Sequence, residues 1–597
     1  MTILAGVFSR GSLAQIPDSI CESLRKNISR DPNDRPIEFR DTHAFLIKVD
    51  IGAFDRPAHR VAPTGSIAIL AGEPLLTCHG PTGVERDAHL AYLQSKWDEG
   101  DLQALRSASG TFCAAYYNAA KGIGYLVADR LGLRTLYYCV LDDFVYFATA
   151  LRILEAIPEV PKVLDILAVA EATGFGYPFG GGTAYADIKM LMPCEVLALE
   201  QGVVTASRYF NWEAIEPIRC TQEEAMSKTY GLFVSAVRRR LRSDKTTFAY
   251  LSGGLDSRCV VAALRSEGAR AYTFNFSLAN TQDQAFALAY AEKSGTIHHE
   301  LPTEPGPNWS AVMADTWRSW PGRHQQMPEH PSLAWTGEGG SVGLGHVYIS
   351  PEIVAHLRSG DMDGAIDIYL RQQSKTILTR ILEPELGAQL HGHLHARLLK
   401  ELREIRCADP VRAFYIFLNL NGPRRHLVNH FDTIDQHRLE FQVPFYDSEL
   451  LEYLTALPAD PCLYHQFYVK WLALFDPAVR AVPWQTYPGH VPSPIPIPQD
   501  LPDQWRAPAS ADHRTRLEHE LMTRSAAMLS CENFPSCVLR KVNLQAMRWA
   551  CKLGLGNYSY ALKAALAYYH YWNIAGGRYQ LPPAVASGRQ AKLGHLD

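Results

Sequence analysis

The sequence predicts a mixed α/β protein in two parts, an antiparallel sandwich over residues 1–210 and a doubly wound parallel sheet over residues 211–597. Up to about residue 210, short runs rich in β-branched and aromatic residues alternate with turns, which is typical of antiparallel sheet. From Thr221 onward, long helical patterns are separated by single strands. That alternation is typical of a parallel sheet covered by helices.

Six short runs account for the predicted N-terminal strands. In chain order they are SIAILAGEPLL, GTFCAAYYN, GIGYLVADR, TLYYCVL, FVYFATA and EVLALEQG. The C-terminal part begins with the helical pattern EEAMSKTYGLFVSAVRRRLR and the strand in TTFAYLSGG, and further helices are predicted at VLRKVNLQAMRWACKLG and SYALKAALAYYHYWN. The arginines within residues 238–242 are predicted to form a solvated helix end, where positive charge favours the helix dipole.

Composition excludes several classes of protein. The 597 residues carry a net charge of -4, with 47% hydrophobic and 20% charged residues, which excludes disordered and collagen-like proteins and gives no indication of a nucleic-acid partner. There is no apolar run of the roughly 18 residues that a membrane span needs and no signal peptide, so we expect a cytoplasmic protein. The twelve cysteines lack CxxC or zinc-site spacing and are predicted to be reduced core residues.

A proline-rich stretch, PGHVPSPIPIPQDLP, lies within a predicted loop over residues 483–508. Proline lacks the backbone N–H that helices and sheets need and favours an extended, polyproline-like path. We therefore expect an irregular segment here, of the kind that forms lids.

The strongest signal for chemistry is the hexapeptide Ser252-Gly253-Gly254-Leu255-Asp256-Ser257, which follows an apolar strand and precedes a helix. Glycines let backbone N–H groups approach an anion, serines add hydroxyl donors, and the helix N-terminus adds a positive dipole end. This arrangement predicts a phosphate or pyrophosphate site. Because Asp256 would repel a bare phosphate, it also predicts a bridging Mg²⁺. The alternative is a capped helix that follows a glycine turn.

The hexapeptide resembles the pyrophosphate loop of the ATP-pyrophosphatases, specifically that of the asparagine synthetase superfamily. The resemblance continues in TFNFSLANTQDQAFALAYAEKSGTIHHE, in TGEGGS at 336–341 and in LEFQVPFYD at 439–447. Upstream, GTFCAAYYN, VADRLGLRTLYY and FVYFATA resemble that family's amidotransferase domain. The resemblance implies a degenerate class II glutamine amidotransferase-like (Ntn-type) domain over 1–210 and an ATP-pyrophosphatase domain over 211–597.

The resemblance also implies a set of site residues. ATP and its pyrophosphate are expected to contact Leu251, Ser252, Gly253, Gly254, Leu255, Asp256, Ser257, Phe276, Thr336 and Gly337. Asp256 is the expected Mg²⁺ ligand. Glu338 stands at the family's acidic position and is predicted to deprotonate an attacking amine or to support the adenylate. Glu440, within LEFQVPFYD, is the second candidate for the base.

The chain departs from that family in both parts. Thr2 stands where asparagine synthetases have their nucleophilic cysteine, and Ala71-Gly72-Glu73 lacks the amide of the family's Asn-Gly-Glu, so we expect no working glutaminase. In the second part, Ser341 replaces a metal-binding carboxylate. The family's lysine is missing near residues 483–487, and Lys470, the nearest one, is predicted to lie on a helix surface.

Without an internal source of ammonia, the attacking nitrogen is expected to belong to the substrate. The sequence therefore predicts ATP-dependent amide bond formation, in which a carboxylate is adenylated and an amine of the same molecule closes a ring. Lasso peptide macrolactam synthetases are the favoured branch, because the long C-terminal helical region could enclose a peptide. The expected partners are a precursor core peptide and a leader-peptide protease or recognition protein.

Alternatives remain from several classes. A β-lactam synthetase or an asparagine synthetase-type ligase would use the same chemistry, and a non-catalytic ATP-binding module would account for the missing carboxylate and lysine. A serine hydrolase is suggested by the literal G-x-S-x-G at 339–343, with Gly180-Gly181-Gly182 as an oxyanion loop. However, a nucleophile elbow needs a strand directly before its serine and a helix directly after it, whereas glycines surround Ser341.

Overall fold

The structure is a computed structural model that describes residues 2–11, 15–79, 85–304, 309–325, 327–503 and 510–582. Two six-stranded sheets are built from the N-terminal part of the chain and one five-stranded sheet from the C-terminal part. The first two sheets are antiparallel and the third is parallel throughout. The predicted α/β fold class is confirmed.

The strands are numbered in chain order. Those before residue 210 are β1 (Thr2–Ser9), β2 (Ile37–Arg40), β3 (Ala44–Asp50), β4 (His59–Val61), β5 (Ile67–Gly72), β6 (Phe112–Asn118), β7 (Ile123–Ala128), β8 (Tyr137–Val140), β9 (Phe144–Ala148), β10 (Leu164–Asp165), β11 (Ile188–Met190), β12 (Glu195–Glu200) and β13 (Val203–Arg208). The later ones are β14 (Thr246–Tyr250), β15 (Arg270–Asn275), β16 (Ile297–Glu300), β17 (Leu333–Trp335), β18 (Glu440–Gln442) and β19 (Tyr579–Gln580). All six runs predicted as N-terminal strands contain a strand.

The helices are numbered in the same way. The first eleven are α1 (Asp18–Asn27), α2 (Arg86–Asp98), α3 (Leu151–Glu155), α4 (Ile166–Phe175), α5 (Gln222–Leu241), α6 (Leu255–Ser266), α7 (Gln282–Ser294), α8 (Trp309–Ser319), α9 (Gly340–Gly343), α10 (Pro351–Arg358) and α11 (Met362–Gln372). The others are α12 (Pro384–Gln389), α13 (His393–Glu404), α14 (Pro410–His426), α15 (Val428–Asp432), α16 (Ile434–His437), α17 (Ser448–Ala456), α18 (Ala459–Cys462), α19 (Gln466–Trp471), α20 (Ala511–Ser530), α21 (Lys541–Lys552) and α22 (Ser559–Ala575).

The two antiparallel sheets pack face to face. Their strand orders are β11-β8-β9-β1-β3-β2 and β13-β12-β7-β6-β5-β4. Apolar faces of the two sheets meet in a core that contains Phe8 from the first sheet and Ile69 and Leu126 from the second. Phe8 stacks on Tyr117 across the interface, with ring centroids 5.6 Å apart. The sandwich is therefore held by side chains of alternate strand positions.

The parallel sheet has the strand order β16-β15-β14-β17-β18. Strand β14 pairs with β15 on one side and with β17 on the other, so the direction of winding reverses between β14 and β17. The loops that follow these two strands lie at the same edge of the sheet. In open α/β sheets, ligands bind in the crevice at such a reversal.

The arginines near the end of α5 are not solvated, which corrects the prediction for 238–242. Arg239 and Arg240 are 4% and 2% exposed, and both donate hydrogen bonds to the fully buried carboxylate of Asp447. Arg242 is paired with Glu73 of the N-terminal sandwich. Only Arg238 behaves as predicted, with an exposed side chain that is bound to Glu267. These contacts fasten α5 to two other parts of the protein.

Several other predictions concern the C-terminal region and the chain as a whole. The predicted helices near its end correspond to α21 and α22, and residues 483–503 contain no helix or strand, whereas 504–508 lie outside the described residues. All twelve cysteines are free thiols, but Cys78 and Cys537 are exposed rather than in the core. Within the described part of the chain, none of the helices has the length and apolar character needed to cross a bilayer.

A short parallel strand pair joins the N-terminal part of the chain to the last described strand. Strand β10 pairs with β19, so that Leu164 lies beside Tyr579 and Asp165 beside Gln580. Helix α22, which leads into β19, also packs against α4 of the N-terminal half. The C-terminal helices are thereby attached to the sandwich.

Candidate functional site

The first wall of the site is the loop between β14 and α6. The hydroxyl of Ser257 accepts a hydrogen bond from the backbone N–H of Ser252 at 3.0 Å, and the two serine hydroxyls lie 3.0 Å apart. The N–H of Gly253 donates to the carboxylate of Asp283 at 2.9 Å. Since α6 begins at Leu255, its positive dipole end faces this loop. The predicted anion loop therefore has its expected strand, turn and helix context.

The glycines of the site are needed for close packing. A Cβ on Gly253 would lie 2.7 Å from the Cα of Asp283, and a Cβ on Gly337 would lie 2.4 Å from the N of Ser257. A Cβ on Gly340 would lie 2.5 Å from the carboxyl carbon of Asp256. The two glycine-rich loops thus touch each other across the switch point of the sheet. This contact gives a reason for the glycines that anion binding alone does not supply.

Asp256 is the polar centre of this contact. Its Oδ1 accepts hydrogen bonds from the Tyr468 hydroxyl at 2.6 Å and the Ser341 hydroxyl at 3.1 Å, and its Oδ2 accepts one from the Ser341 N–H at 2.8 Å. Burial raises the pKa of Asp256 to about 6, although these hydrogen bonds oppose the rise. Ser341, which replaces the family's second carboxylate, therefore acts as a donor to Asp256. One lone pair of Oδ2 is left for a further ligand.

The fully buried Arg258, on the first turns of α6, fixes the opposite wall of the site. Its guanidinium donates to the backbone carbonyls of Gly253, Val479, Val482 and Pro483. These bonds hold the segment that follows, residues 484–487, against the phosphate loop, and all four of its side chains border the cavity. Arg258 therefore links the anion loop to the beginning of the proline-rich segment.

A cavity of about 690 Å³ opens between these walls, within the usual range for ligand sites. Its lining includes every predicted site residue except Gly253 and Glu440. One side is apolar and aromatic, with Tyr250, Phe274, Phe276, Leu278, Trp309 and Met313. The carboxylates at its border are Asp256, Asp283, Glu304 and Glu338, and among the described lining residues there is no Lys or Arg. A polyanionic ligand would thus need an accompanying cation to neutralise its charge.

At one end of the cavity, Glu338 faces a histidine that the sequence did not single out. The Glu338 carboxylate lies 3.7 Å from Nε2 of His426, the last residue of α14. The imidazole stacks on Trp309, with ring centroids 5.8 Å apart and planes inclined by 15°. The negative charge of Glu338 raises the pKa of His426, although more than half of the imidazole surface is exposed to solvent. The arrangement favours a protonatable pair at the cavity border.

The other candidates for catalysis lie elsewhere. Glu440, the second candidate for the base, is 3% exposed and paired with the buried Arg134 of the N-terminal part at 3.1 Å, so it is not available to a ligand in the cavity. Lys470 is exposed and donates to Gln222, as its predicted surface position requires. Ser341 follows β17 only after five further residues, and its hydroxyl is bound to Asp256. A nucleophile elbow is therefore absent at this serine.

Ion pairs lie at the Ala71-Gly72-Glu73 segment and beside the beginning of β1. Glu73 pairs with Arg242 from the C-terminal part, and Arg86 donates to Asp50 at 2.6 Å. Both guanidiniums pack on the ring of Phe54, at 5.1 and 4.3 Å from its centroid. Asp50 is the register partner of Thr2, so these pairs lie beside the start of β1. The charged side chains of this region thus already bind one another.

Sequence reasoning missed several residues of the site. No local motif marks Tyr468, Arg258 or His426. Each reaches the site through contacts with residues that are distant in the chain. Tyr487 lies in the segment where a lysine was expected; burial raises its pKa, and it also interacts with Asp256 and Ser341. A tyrosine thus occupies the neighbourhood of the missing cation.

Fold and site together define the class. This is a two-part α/β protein with an antiparallel sandwich, and its ligand cavity lies where two glycine-rich loops meet at the switch point of a parallel sheet.

Comparison with known proteins gives the family of these parts. Residues 228–311 match the Asparagine synthase family model, and residues 91–210 match the model of the Glutamine amidotransferase domain. The chain therefore contains asparagine synthetase family domains. The first match includes the phosphate loop and α7, and the second includes β6 to β13.

Individual relatives agree with these matches. The chain is 27% identical over 168 residues to Asparagine synthetase [glutamine-hydrolyzing] 3 of Bacillus subtilis, covering 28% of this chain and 27% of that protein. It is 25% identical over 388 residues to the asparagine synthetase of Cricetulus griseus, covering 61% and 59%. It is also 26% identical over 280 residues to the carboxyethyl-arginine beta-lactam-synthase of Streptomyces clavuligerus, covering 45% and 51%. The chain thus spans less than two thirds of each relative.

Proposed function

We propose that the protein is an ATP-dependent, AMP-forming carbon–nitrogen ligase. The observation that carries this proposal is the contact of two glycine-rich loops around Asp256 at the switch point of the sheet, within a segment that matches the asparagine synthase family. The apolar, aromatic side of the cavity suits the adenine base, and the loop at the start of α6 suits the phosphates.

Mg²⁺ fits this site as the partner of ATP. Asp256 can offer one lone pair of Oδ2, and Mg²⁺ commonly takes one carboxylate together with phosphate oxygens and water. When bound there, Mg²⁺ would neutralise phosphate charge that no described Lys or Arg of the cavity lining can neutralise. Ser341 and Tyr468 hold the carboxylate in place for this task.

The reaction has two steps. A carboxylate oxygen of the substrate attacks the α-phosphorus of ATP, and pyrophosphate leaves into the loop of residues 252–257. An amine then attacks the acyl carbon, an amide forms, and AMP leaves with the electrons of the broken carbon–oxygen bond. Two protons are lost from the ammonium group in this step. If the amine belongs to the same molecule, the pocket supplies proximity on the order of 7–11 kcal/mol.

The nitrogen is proposed to come from the substrate itself. Ala71 cannot provide the amide of a glutaminase oxyanion site, and Glu73 is occupied by Arg242. A peptide that closes a macrolactam ring, as in lasso peptides, is the proposed substrate, and a leader-peptide protease or recognition protein the proposed partner. Residues 484–487 together with His490 and Val491 of the proline-rich segment give the cavity an additional wall for such a substrate, whereas α20 to α22 contribute none of its described lining residues. Formation of a smaller lactam is the second candidate, favoured by the similarity to the beta-lactam-synthase.

The test is substrate-dependent pyrophosphate release. Purified protein, ATP and Mg²⁺ are incubated with synthetic peptides that contain a free amine and an Asp or Glu. The masses of the products are then measured by mass spectrometry. We expect pyrophosphate only with a competent peptide, together with a product lighter by one water. A hydrolase would act without ATP, and a binding module would bind ATP without turnover. Either result would reject the proposal.

Replacing Thr2 by Ala should leave product formation unchanged. The reason is that the amine is carried by the substrate, so neither a nucleophile at position 2 nor free glutamine takes part. The measurements are product mass and glutamate release, with and without glutamine, in the wild type and in the Thr2→Ala variant. Glutamine-stimulated turnover that disappears in the variant would restore an amidotransferase function.

A further inference from the structure

The two arginines that precede His426 hold it at the border of the cavity through their contacts with the N-terminal part. Arg424 and Arg425 are 0% and 8% exposed, and their hydrogen bonds within the described residues go to backbone carbonyls, the Met190 sulfur and the Asn421 amide oxygen. Both guanidiniums donate to backbone carbonyls of the N-terminal segment 178–182. The carbonyl of Gly180 accepts from Arg424 at 2.8 Å and from Arg425 at 2.7 Å. The last turn of α14 is thus fixed on a loop of the sandwich, and the next residue faces the cavity.

The surroundings of the imidazole suit a proton acceptor. Glu338 lies 3.7 Å away on the glycine-rich loop, and Trp309 of α8 supports the ring. His430 lies one turn further along the chain and is buried. Its two ring nitrogens form hydrogen bonds with the Ser310 hydroxyl and the Leu439 carbonyl. The charge of Glu338 also acts on Tyr348, Tyr446 and Asp256, where it favours the protonated form of each group. Glu338 is therefore the one carboxylate among the described residues that faces His426 directly.

A carboxylate alone is a weak acceptor for an ammonium proton at neutral pH, because its ordinary pKa lies near 4.3. An imidazole is better matched, and a neighbouring carboxylate both orients it and stabilises its cation. Helix α14 ends at His426, and a helix C-terminus favours positive charge. A cationic imidazole over the ring of Trp309 is also favourable.

We propose that His426 accepts the first proton of the attacking amine, and that Glu338 and the loop of residues 178–182 hold it in position. This proposal rests on the proposed ligase function. The ring nitrogen of His426 that does not face Glu338 takes one proton from the ammonium group, and the neutral amine attacks the acyl carbon of the adenylate. The second proton leaves to water as the tetrahedral intermediate collapses to the amide and AMP. The N-terminal part thereby contributes to the reaction without hydrolysing glutamine.

The pH dependence has a defined sign. His426 must be neutral to accept a proton, so product formation should rise with pH through its pKa and then level off. Because Glu338 raises the pKa of His426, the Glu338→Gln variant should show this rise at lower pH and reach a lower plateau. In the His426→Gln variant, product formation should fall by about 10²- to 10⁴-fold. Peptide-dependent ATP–pyrophosphate exchange should persist, and added imidazole should partly restore the rate.

The control is His391→Gln, which makes the same substitution at an exposed histidine outside the cavity lining and should change nothing. If His426→Gln forms product at the wild-type rate, or if Glu338→Gln alone loses product, His426 is not the acceptor. Loss of exchange and product together in His426→Gln would assign it to binding or folding and reject the proposal as well.

A second measurement needs no substrate. The His426 imidazole signal is followed by NMR over pH in the wild type and in Glu338→Gln, and its pKa should fall toward that of a free histidine in the variant. An unchanged pKa would overturn the pairing of the two residues. Absence of exchange with every peptide in the wild type would instead reject the proposed ligase function, so the two failures are distinguishable.

Discussion

The Asp256→Asn variant should lose at least about 100-fold of substrate-dependent pyrophosphate release, or about 2.7 kcal/mol. The neutral amide cannot balance the charge of Mg²⁺. A bound metal ion stabilises the charge that develops in the transition state of phosphoryl and nucleotidyl transfer by several kcal/mol. The amide oxygen can still accept from the N–H of Ser341, and the NH₂ group would face the hydroxyls of Ser341 and Tyr468, so the loss is expected from the missing charge. The measurement is pyrophosphate release as a function of Mg²⁺ concentration. More than about a tenth of wild-type turnover, a loss under ~1.4 kcal/mol, would contradict the metal role.

Ser341→Ala is the matched control for this variant. It removes one hydrogen bond to Asp256 and leaves the carboxylate in place. We expect this variant to keep the wild-type dependence on Mg²⁺, whereas Asp256→Asn should need much more metal or show no response to it. Equal losses in both variants would mean that the hydrogen-bonded network, and not metal binding, explains the importance of Asp256.

The largest loss of stability is expected from Asp447→Asn. Asp447 is 0% exposed and binds the buried guanidiniums of Arg239 and Arg240, and its oxygen also caps the first turn of α17. Removing the negative charge leaves the buried Arg240 without its counterion and Arg239 with only the half-exposed Glu449, and breaking a buried pair typically costs about 3–5 kcal/mol. The free energy of unfolding, measured with denaturant, should fall by that amount.

Glu449→Gln is the control for Asp447, since Glu449 binds the same Arg239 from a half-exposed position. Exposed pairs of this kind contribute about 0–1 kcal/mol. Burial opposes ionisation of Asp447, but Arg240 and Arg239 hold its pKa below the ordinary value. Its stabilising effect is therefore present above about pH 4 and is lost as the pH falls through its lower, folded pKa. A smaller effect for Asp447→Asn than for Glu449→Gln would contradict this account.

Local patterns predicted the elements that carry the site. The phosphate loop is readable because its strand, glycines and helix are contiguous, and six of the thirteen strands before residue 210 are readable because their β-rich runs are bounded by turns. The family-like segment at 336–341 was sufficient to predict that Thr336, Gly337 and Glu338 belong to the same site as the phosphate loop, and all three border its cavity. These signals lie within a few residues of the feature that they predict.

The features that failed depend on distant partners. Arg240 appears solvated in the sequence because its counterion, Asp447, is 207 residues away, and Tyr468 reaches Asp256 over 212 residues. Glu440 was a candidate base because of its segment, but its partner Arg134 lies 306 residues away in the other part of the chain. A single sequence does not show which charges will meet in the interior, so such pairs were not predictable.

The pairing of β10 with β19 has a consequence for the biosynthesis of the protein. Chains emerge from the ribosome at about 5–20 residues per second, so Leu164 and Asp165 are exposed to the solvent well before Tyr579 and Gln580 exist. The sandwich can form its two sheets during this interval, since all of their strands lie before residue 210. Its attachment to the C-terminal helices must wait until residues 579 and 580 have been made. This strand pair therefore forms after all strands of the two sheets have been synthesised.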